Sequence, residues 1–172
     1  YHFATEACLK ANDLTSQIDR RLCNLKSVKN KNLTKTLNKL IELNIKLKNR
    51  ANEMWPNENI DQNLSRKFLT FSPSDFGFHN AIMLKNNSIT FIDFEYFGLD
   101  DPVKLISDFL WHPAMSLTVN QKILFTKKFL KIFENDYFLK KRLNAAFSLY
   151  GLRWCLIILN KAVKIHFAAR NL

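Results

Sequence analysis

Ser72-Pro73-Ser74-Asp75-Phe76-Gly77-Phe78-His79-Asn80-Ala81, then Ile89-Thr90-Phe91-Ile92-Asp93-Phe94-Glu95-Tyr96, then Asp100-Asp101-Pro102, is the stretch whose reading decides the fold. The chain has 172 residues and a formal charge of +11, yet residues 75–108 hold Asp75, Asp93, Glu95, Asp100, Asp101 and Asp108 against only Lys85 and Lys104. An acidic island among short apolar strands suits a metal-assisted reaction, because hard cations take oxygen ligands.

Working outward, Ala81-Ile82-Met83-Leu84 and Ile89-Thr90-Phe91-Ile92 flank the turn-forming Lys85-Asn86-Asn87-Ser88, so residues 81–93 read as a β-hairpin with Asp93 at its far end. Phe68-Leu69-Thr70-Phe71 is short and β-prone. Everything else reads as helix. Residues 5–27 carry Ala7, Leu14, Ile18, Leu22 and Leu25 at helical spacing. After a polar connector at 28–32, Leu33, Leu37, Leu40, Ile41, Asn44 and Leu47 stripe a second helix that Trp55-Pro56 should end near Met54. A polar loop is expected at 57–66. Asp101 as N-cap and Pro102 at the first helical position start a third helix, which runs to Trp111 and stops before His112-Pro113. A fourth, capped by Ser116 or Thr118, runs to about Phe133 with Ile123, Leu124, Phe129, Leu130 and Phe133 inside. The last spans about 137–167, breaks near Gly151, and lies in the middle of the fold because Leu149–Leu159 is apolar on nearly all faces. The expected fold is mainly α with a small β-hairpin, in a single helical domain over 1–172, with three glycines and four prolines too few for a turn-rich β-protein.

Composition narrows the class. Cys8, Cys23 and Cys155 form no CxxC pair and read as small apolar residues in a reducing cytosol. No signal peptide is visible, and the apolar run at Leu156–Leu159 is short of the roughly 20 residues of a membrane span; a cytoplasmic protein is expected. Its first residue is Tyr1, so the chain is expected to be a piece of something longer, or processed. The positive charge invites nucleic acid. However, its lysines are dispersed among asparagines along helices with no aromatic-basic interleaving, so a solvated lysine-rich surface is the expectation. No glycine-rich phosphate loop exists.

Phosphoryl transfer needs a carboxylate to deprotonate an attacking hydroxyl and oxygen ligands for Mg²⁺. In protein-kinase-like catalytic loops an Asp and an Asn five residues later do these jobs, and a second Asp beyond a hairpin takes metal. Asp75, Asn80 and Asp93 have that spacing. Ser-Pro-Ser-Asp-Phe-Gly-Phe-His-Asn with Phe-Ile-Asp-Phe-Glu-Tyr-Phe-Gly and Asp-Asp-Pro resembles the aminoglycoside phosphotransferase/choline kinase family, whose loop usually reads His-Gly-Asp-Leu-His-Pro-Gly-Asn and whose metal motif reads Ile-Asp-Phe/Trp-Glu. The resemblance implies a catalytic loop at 72–81 with Asp75 as base, Asn80 and Asp93 as Mg²⁺ ligands, Glu95 as a substrate contact, and a substrate region at 101–172. It departs at Pro73, where the family's leading His is usual, at Phe78-His79, which replaces Pro-Gly, and at Leu105 and Asp108, where the later Asp-Pro-x-x-Asp pattern loosens.

The resemblance covers the family's C-terminal lobe only. Its N-terminal β-lobe for ATP has no counterpart among the roughly 70 helical residues before Asp75, so the missing lobe or a partner chain is expected to complete the nucleotide site. The implied function is transfer of the ATP γ-phosphate to a hydroxyl of a sugar, polyol or amino alcohol, with Mg²⁺ and ATP as cofactors. The alternative is a non-catalytic, degenerate kinase lobe that binds a small molecule or a protein. Plainer roles stand beside each residue: Asp75 as a loop cap, Asn80 as a turn residue, Asp93 as a structural Asp, Glu95 in an ion pair, Asp100 and Asp101 in capping, His79 as a structural side chain, and Trp111 and Trp154 in the core. Arg153 in an apolar helix needs a partner, with Asp108 or Glu95 the guesses. Residues 109–172 hold Glu134 and Asp136 against eleven Lys and Arg, which favours a neutral or anionic acceptor over a polycationic aminoglycoside.

Overall fold

The computed structural model describes residues 1–28, 31–56 and 61–170. Parts of the expected 28–32 connector and 57–66 loop, residues 29–30 and 57–60, lie outside the described residues. The fold is mainly helical: α1 (Ala11–Lys26), α2 (Lys31–Met54), α3 (Pro102–Trp111), α4 (Val119–Ile132) and α5 (Leu139–Arg170), with four three-residue strands, β1 (Thr70–Ser72), β2 (Ala81–Met83), β3 (Ile89–Phe91) and β4 (Gly98–Asp100). Helix α5 is the axis, and α1, α2 and α3 all pack on it.

The amphipathic stripes form the core as their spacing requires. Leu14, Ile18, Leu22 and Leu25 of α1 are buried, as are Leu37, Asn44 and Ala51 of α2. Asn44 is polar in that stripe because its Nδ2 donates to Asp19 Oδ1 across the α1–α2 seam at 3.0 Å. The hairpin β2–β3 has the register Ala81↔Phe91, Ile82↔Thr90 and Met83↔Ile89. Asp101 caps α3 by accepting from Val103 N at 2.9 Å, and Thr118 caps α4.

Four expectations change. Residues 5–10 are not helical; α1 starts at Ala11, and the segment before it lies along β4, with Ala4 N donating to Leu99 O (3.0 Å) and Leu99 N to His2 O (2.9 Å). That strap explains the second change: β4 pairs antiparallel with β1 (Phe71↔Leu99), so the hairpin is not the only sheet. Gly98 permits the packing, since a Cβ there would meet the Ala4 backbone nitrogen at 2.4 Å. Third, α4 buries Phe129 but leaves Ile123 and Leu124 exposed, because the helix touches the core along one edge through Phe125 and Phe129. Fourth, α5 does not break at Gly151; the glycine gives room to the Trp111 indole, whose Nε1 donates to Phe147 O at 2.9 Å.

The cysteines divide. Cys8 is buried and its thiol is pushed up to about 12, chiefly by burial, whereas Cys23 and Cys155 are exposed. Leu139–Val163 is long and apolar enough to cross a membrane by length and composition, but half of it is buried against other helices, as a central helix would be. A Cβ at position 151 would lie 2.8 Å from the Trp111 ring. Gly151→Ala is therefore expected to destabilise the protein by about 1–3 kcal/mol through overpacking, outweighing the ~1 kcal/mol that alanine gains over glycine in a helix. Urea denaturation checks this, and an unchanged or raised midpoint would contradict it.

Candidate active site

Asp75 sits in the loop between β1 and β2, held at both ends. Ser72, at the end of β1, accepts Ser74 N on its Oγ (3.0 Å), and Asp75 N donates to Pro73 O (2.8 Å). A single 3₁₀ turn, Phe78–Asn80, then leads into β2. Asn80 Nδ2 donates to the Asp75 carbonyl at 3.0 Å, and Ile92 N donates to the Asn80 carbonyl at 2.9 Å. The hairpin thus returns the chain to the loop, with Asp93 one residue beyond the bond to Asn80. Because the Asn80 amide nitrogen is committed to Asp75 O, its Oδ1 is the atom left for a cation.

Asp93 has φ 64°, in the left-handed region, as do Ser74 (64°) and Glu6 (56°). Such conformations cost non-glycine residues about 1–3 kcal/mol where the surroundings must hold them, Asp tolerating it better than most. Glu6 and Ser74 line the cavity on which Asp75 opens, whereas Asp93 lies outside its lining and Asn87 and Ser116 adopt the same region elsewhere.

That cavity, of about 500 Å³, is bounded by Ser74 and Asp75 of the loop, Tyr96, Lys104 and Asp108 of α3, Trp154 of α5, and also by Thr5, Glu6, His112, Arg153 and Ile157. Its charges are almost balanced. Lys104 is 1 % exposed and lies 2.8 Å from Asp100 Oδ2 and 3.6 Å from Asp108 Oδ2. Burial works against its ammonium, but the two carboxylates outweigh burial and hold its pKa above the ordinary value. Lys104 also reaches Ser74 Oγ at 3.5 Å, tying α3 to the loop. Arg153 donates to Asp108 Oδ1 (2.8 Å) and Gln17 Oε1 (2.8 Å), with Glu6 Oε2 at 3.4 Å. Asp108 was thus the better of the two guesses for its partner, and Glu95 takes no part. Trp154 Nε1 donates to Asp108 as well, at 2.9 Å.

The remaining acids find separate places. Asp101 faces Arg142, which also holds Asp136. Asp100 is fully buried and accepts from Cys8 N and Asp101 N, both at 2.9 Å. Glu95 lies outside the cavity lining; its carboxylate, next to Tyr96, raises the phenol's pKa. The excess of bases in 109–172 does not carry over to the cavity, where Glu6, Asp75 and Asp108 meet Lys104 and Arg153.

Sequence reasoning missed His112. Following α3, its Nε2 stands 3.4 Å from Asp75 Oδ1, and His79 Nε2 stands 3.1 Å from the same oxygen. The two imidazoles stack at 4.1 Å and 7°, and His112 meets Trp154 edge-on at 4.5 Å. Nothing in the local sequence marks His112 except that it precedes a proline. Glu6 and Tyr96 were missed for the same reason: their roles exist only once distant segments meet.

The three ligand atoms of Asp75, His79 and His112 lie within 4.8 Å of one another, a spacing that could hold a metal ion. The hydrogen bonding opposes it. Ala114 N donates to His112 Nδ1 at 3.1 Å, so Nδ1 supplies the ring's one lone pair and Nε2 carries the proton. A metal-bound Nε2 needs the reverse tautomer, with Nδ1–H donating. Burial, and then the neighbouring His79, lower the pKa of His112.

No protein-family model matches the sequence, and neither a curated protein nor a solved structure matches it.

Glu6 provides a check on the cavity's electrostatics. Burial alone would raise its pKa, but the hydrogen bond and charge of Arg21, with Arg153 and Arg20, bring it below the ordinary value. A carboxyl depressed on folding stabilises the native state above its unfolded pKa and loses that contribution as pH falls through the folded value. Glu6→Gln is expected to lower stability at neutral pH, with the deficit shrinking below about pH 4. Denaturation midpoints measured across pH test this; a deficit independent of pH would refute it.

Proposed function

We propose that this chain is the catalytic-loop lobe of an ATP-dependent phosphotransferase similar to the aminoglycoside phosphotransferase/choline kinase family, acting on a hydroxyl of a sugar, polyol or amino alcohol. One observation carries the reading: the bonds Asn80 Nδ2 to Asp75 O and Ile92 N to Asn80 O draw the base, the amide ligand and Asp93 to one end of a hairpin, beside a cavity that Asp75 lines. The spacing alone would permit many arrangements, and this loop closure is the feature that supports the reading.

In this mechanism the acceptor enters the cavity with its hydroxyl against Asp75. Both imidazoles address Oδ1, and among the described residues Oδ2 takes no hydrogen bond, so Oδ2 is the atom that accepts the hydroxyl proton. Asn80 Oδ1 and the Asp93 carboxylate are hard oxygen donors of the kind Mg²⁺ takes alongside water and phosphate oxygens. When bound there, the ion would neutralise charge on the transferring phosphoryl group. The ATP lobe is supplied by further polypeptide or by a partner chain. Tyr96 and Trp154 give the cavity aromatic walls, and its near-balanced charge accommodates a neutral, hydroxyl-bearing acceptor.

The test is phosphoryl transfer from Mg·ATP to a panel of sugars, polyols and amino alcohols, with this chain joined to its nucleotide lobe. Asp75→Ala is expected to lower kcat by roughly 10²- to 10⁴-fold without changing thermal unfolding. Substantial residual turnover would remove Asp75 as the base. Acceptor binding by an inactive wild type would favour the second reading, a degenerate lobe that only binds.

A further inference from the structure

The catalytic loop of this chain lacks the leading histidine usual in the family it resembles; Pro73 stands there. A carboxylate that acts as a base needs its orientation held, and a side chain that is 39 % exposed is not held by packing. We propose that His112, contributed by the turn after α3, is a positioning residue that orients the Asp75 carboxylate by donating from Nε2 to Oδ1. This rests on the assignment of Asp75 as base.

Three features carry the inference. The first is the tautomer. The backbone N–H of Ala114 is a donor in every protonation state and points at His112 Nδ1 from 3.1 Å, so the only N–H of the neutral ring is at Nε2, the atom facing Asp75. A protonated ring would set Nδ1–H against Ala114 N–H and forfeit that bond.

The second feature is rigidity. His112 is the C-cap of α3, its backbone N–H bonded to Asp108 O at 2.9 Å, and Pro113 follows it. Its ring lies between the parallel face of His79 and the edge of Trp154, and Trp154 is fixed in turn by its bond to Asp108. The side chain is only 11 % exposed. The constraint comes from α3 through the cap and from α5 through Trp154, with His79 of the loop on the other face.

The third is the division of labour on Asp75. His112 and His79 approach the same oxygen, leaving Oδ2 without a hydrogen bond among the described residues. His79 belongs to the same loop as Asp75, whereas His112 comes from outside it and so can fix the carboxylate relative to the cavity walls. At 3.4 Å the pair is in close contact without meeting hydrogen-bond geometry, whereas His79 Nε2 at 3.1 Å makes the bond that is formed. Such contacts tighten when substrate enters and water leaves.

The experiment has two arms. In the first, the imidazole nitrogens of the 172-residue chain are observed by two-bond ¹H–¹⁵N correlation at neutral pH. His112 is expected as the pure Nε2–H tautomer, with an Nε2 proton resonance that shifts on Asp75→Asn and stays put on Asp93→Asn. An Nδ1–H tautomer, or an Nε2 proton indifferent to Asp75→Asn, would overturn the proposal. In the second, carried out on the chain joined to its nucleotide lobe, His112→Gln keeps an N–H donor near the Nε2 position, whereas His112→Phe keeps the ring stack without the donor. With Mg·ATP as the probe and water or an accepted hydroxyl compound as acceptor, His112→Phe is expected to lose roughly 10- to 100-fold in kcat with KM unchanged, and His112→Gln to recover most of that loss. Equal loss in the two variants would show that the ring acts by packing alone and overturn the assignment. Should wild type turn over no ATP, the kinase reading fails while the first arm still decides whether His112 holds Asp75.

Discussion

The structure depends on how the buried charges on and beside α3 are neutralised. Asp100, at the end of β4, and Lys104 and Asp108, in α3, follow one another at four-residue intervals, which sets Lys104 beside both carboxylates. Asp101 sits beside them, and Arg142 and Arg153 of α5 supply the opposing cations. Taking any one of these groups from water without its partner costs several kcal/mol, comparable to the whole stability of a domain. The charges therefore determine how β4, α3 and α5 must meet, and Arg153 extends the constraint to α1 through Gln17 and to the N-terminal strap through Glu6. The apolar contacts around them supply most of the driving force but would tolerate other arrangements.

This framework explains why a short loop can hold a demanding geometry. Lys104 contacts Ser74, Arg153 and Asp108 fix the floor of the cavity, and Trp154 connects Asp108 to His112. The loop itself contributes few core residues, and much of its precision is borrowed from α3 and α5. The left-handed backbone at Glu6, Ser74 and Asp93 fits this picture, since strained conformations persist only where the surroundings over-determine them.

Much of the fold was legible residue by residue. The α3 cap and its stop were explicit, because Asp-Pro and His-Pro act locally through backbone geometry. The α1 and α2 faces followed from periodicity. The hairpin followed from turn chemistry. The β1–β4 pair was not legible, because three residues of Gly-Leu-Asp carry no alternation and their pairing is decided by a strap 90-odd residues away in sequence (Phe3 against Leu99). The α4 face misled, since apolar periodicity states which side is hydrophobic but not whether anything covers it: Ile123 and Leu124 match the pattern and remain exposed. Gly151 misled in the other direction, marking a close approach of Trp111 instead of a break in α5.

By itself, then, the sequence determined the local elements and the order of the chemically capable residues along the chain, because caps, turns and amphipathic spacing act within a few residues. Only the tertiary structure decided what surrounds Asp75. It brought His112 from the end of α3, Glu6 from the strap, Tyr96 from beyond the hairpin and Trp154 from α5 to one cavity. It also paired the cations that a count of charges would have left free to attract anions. Those are long-range contacts selected by the joint satisfaction of buried charge and packing, and no window of sequence contains the partners that satisfy them.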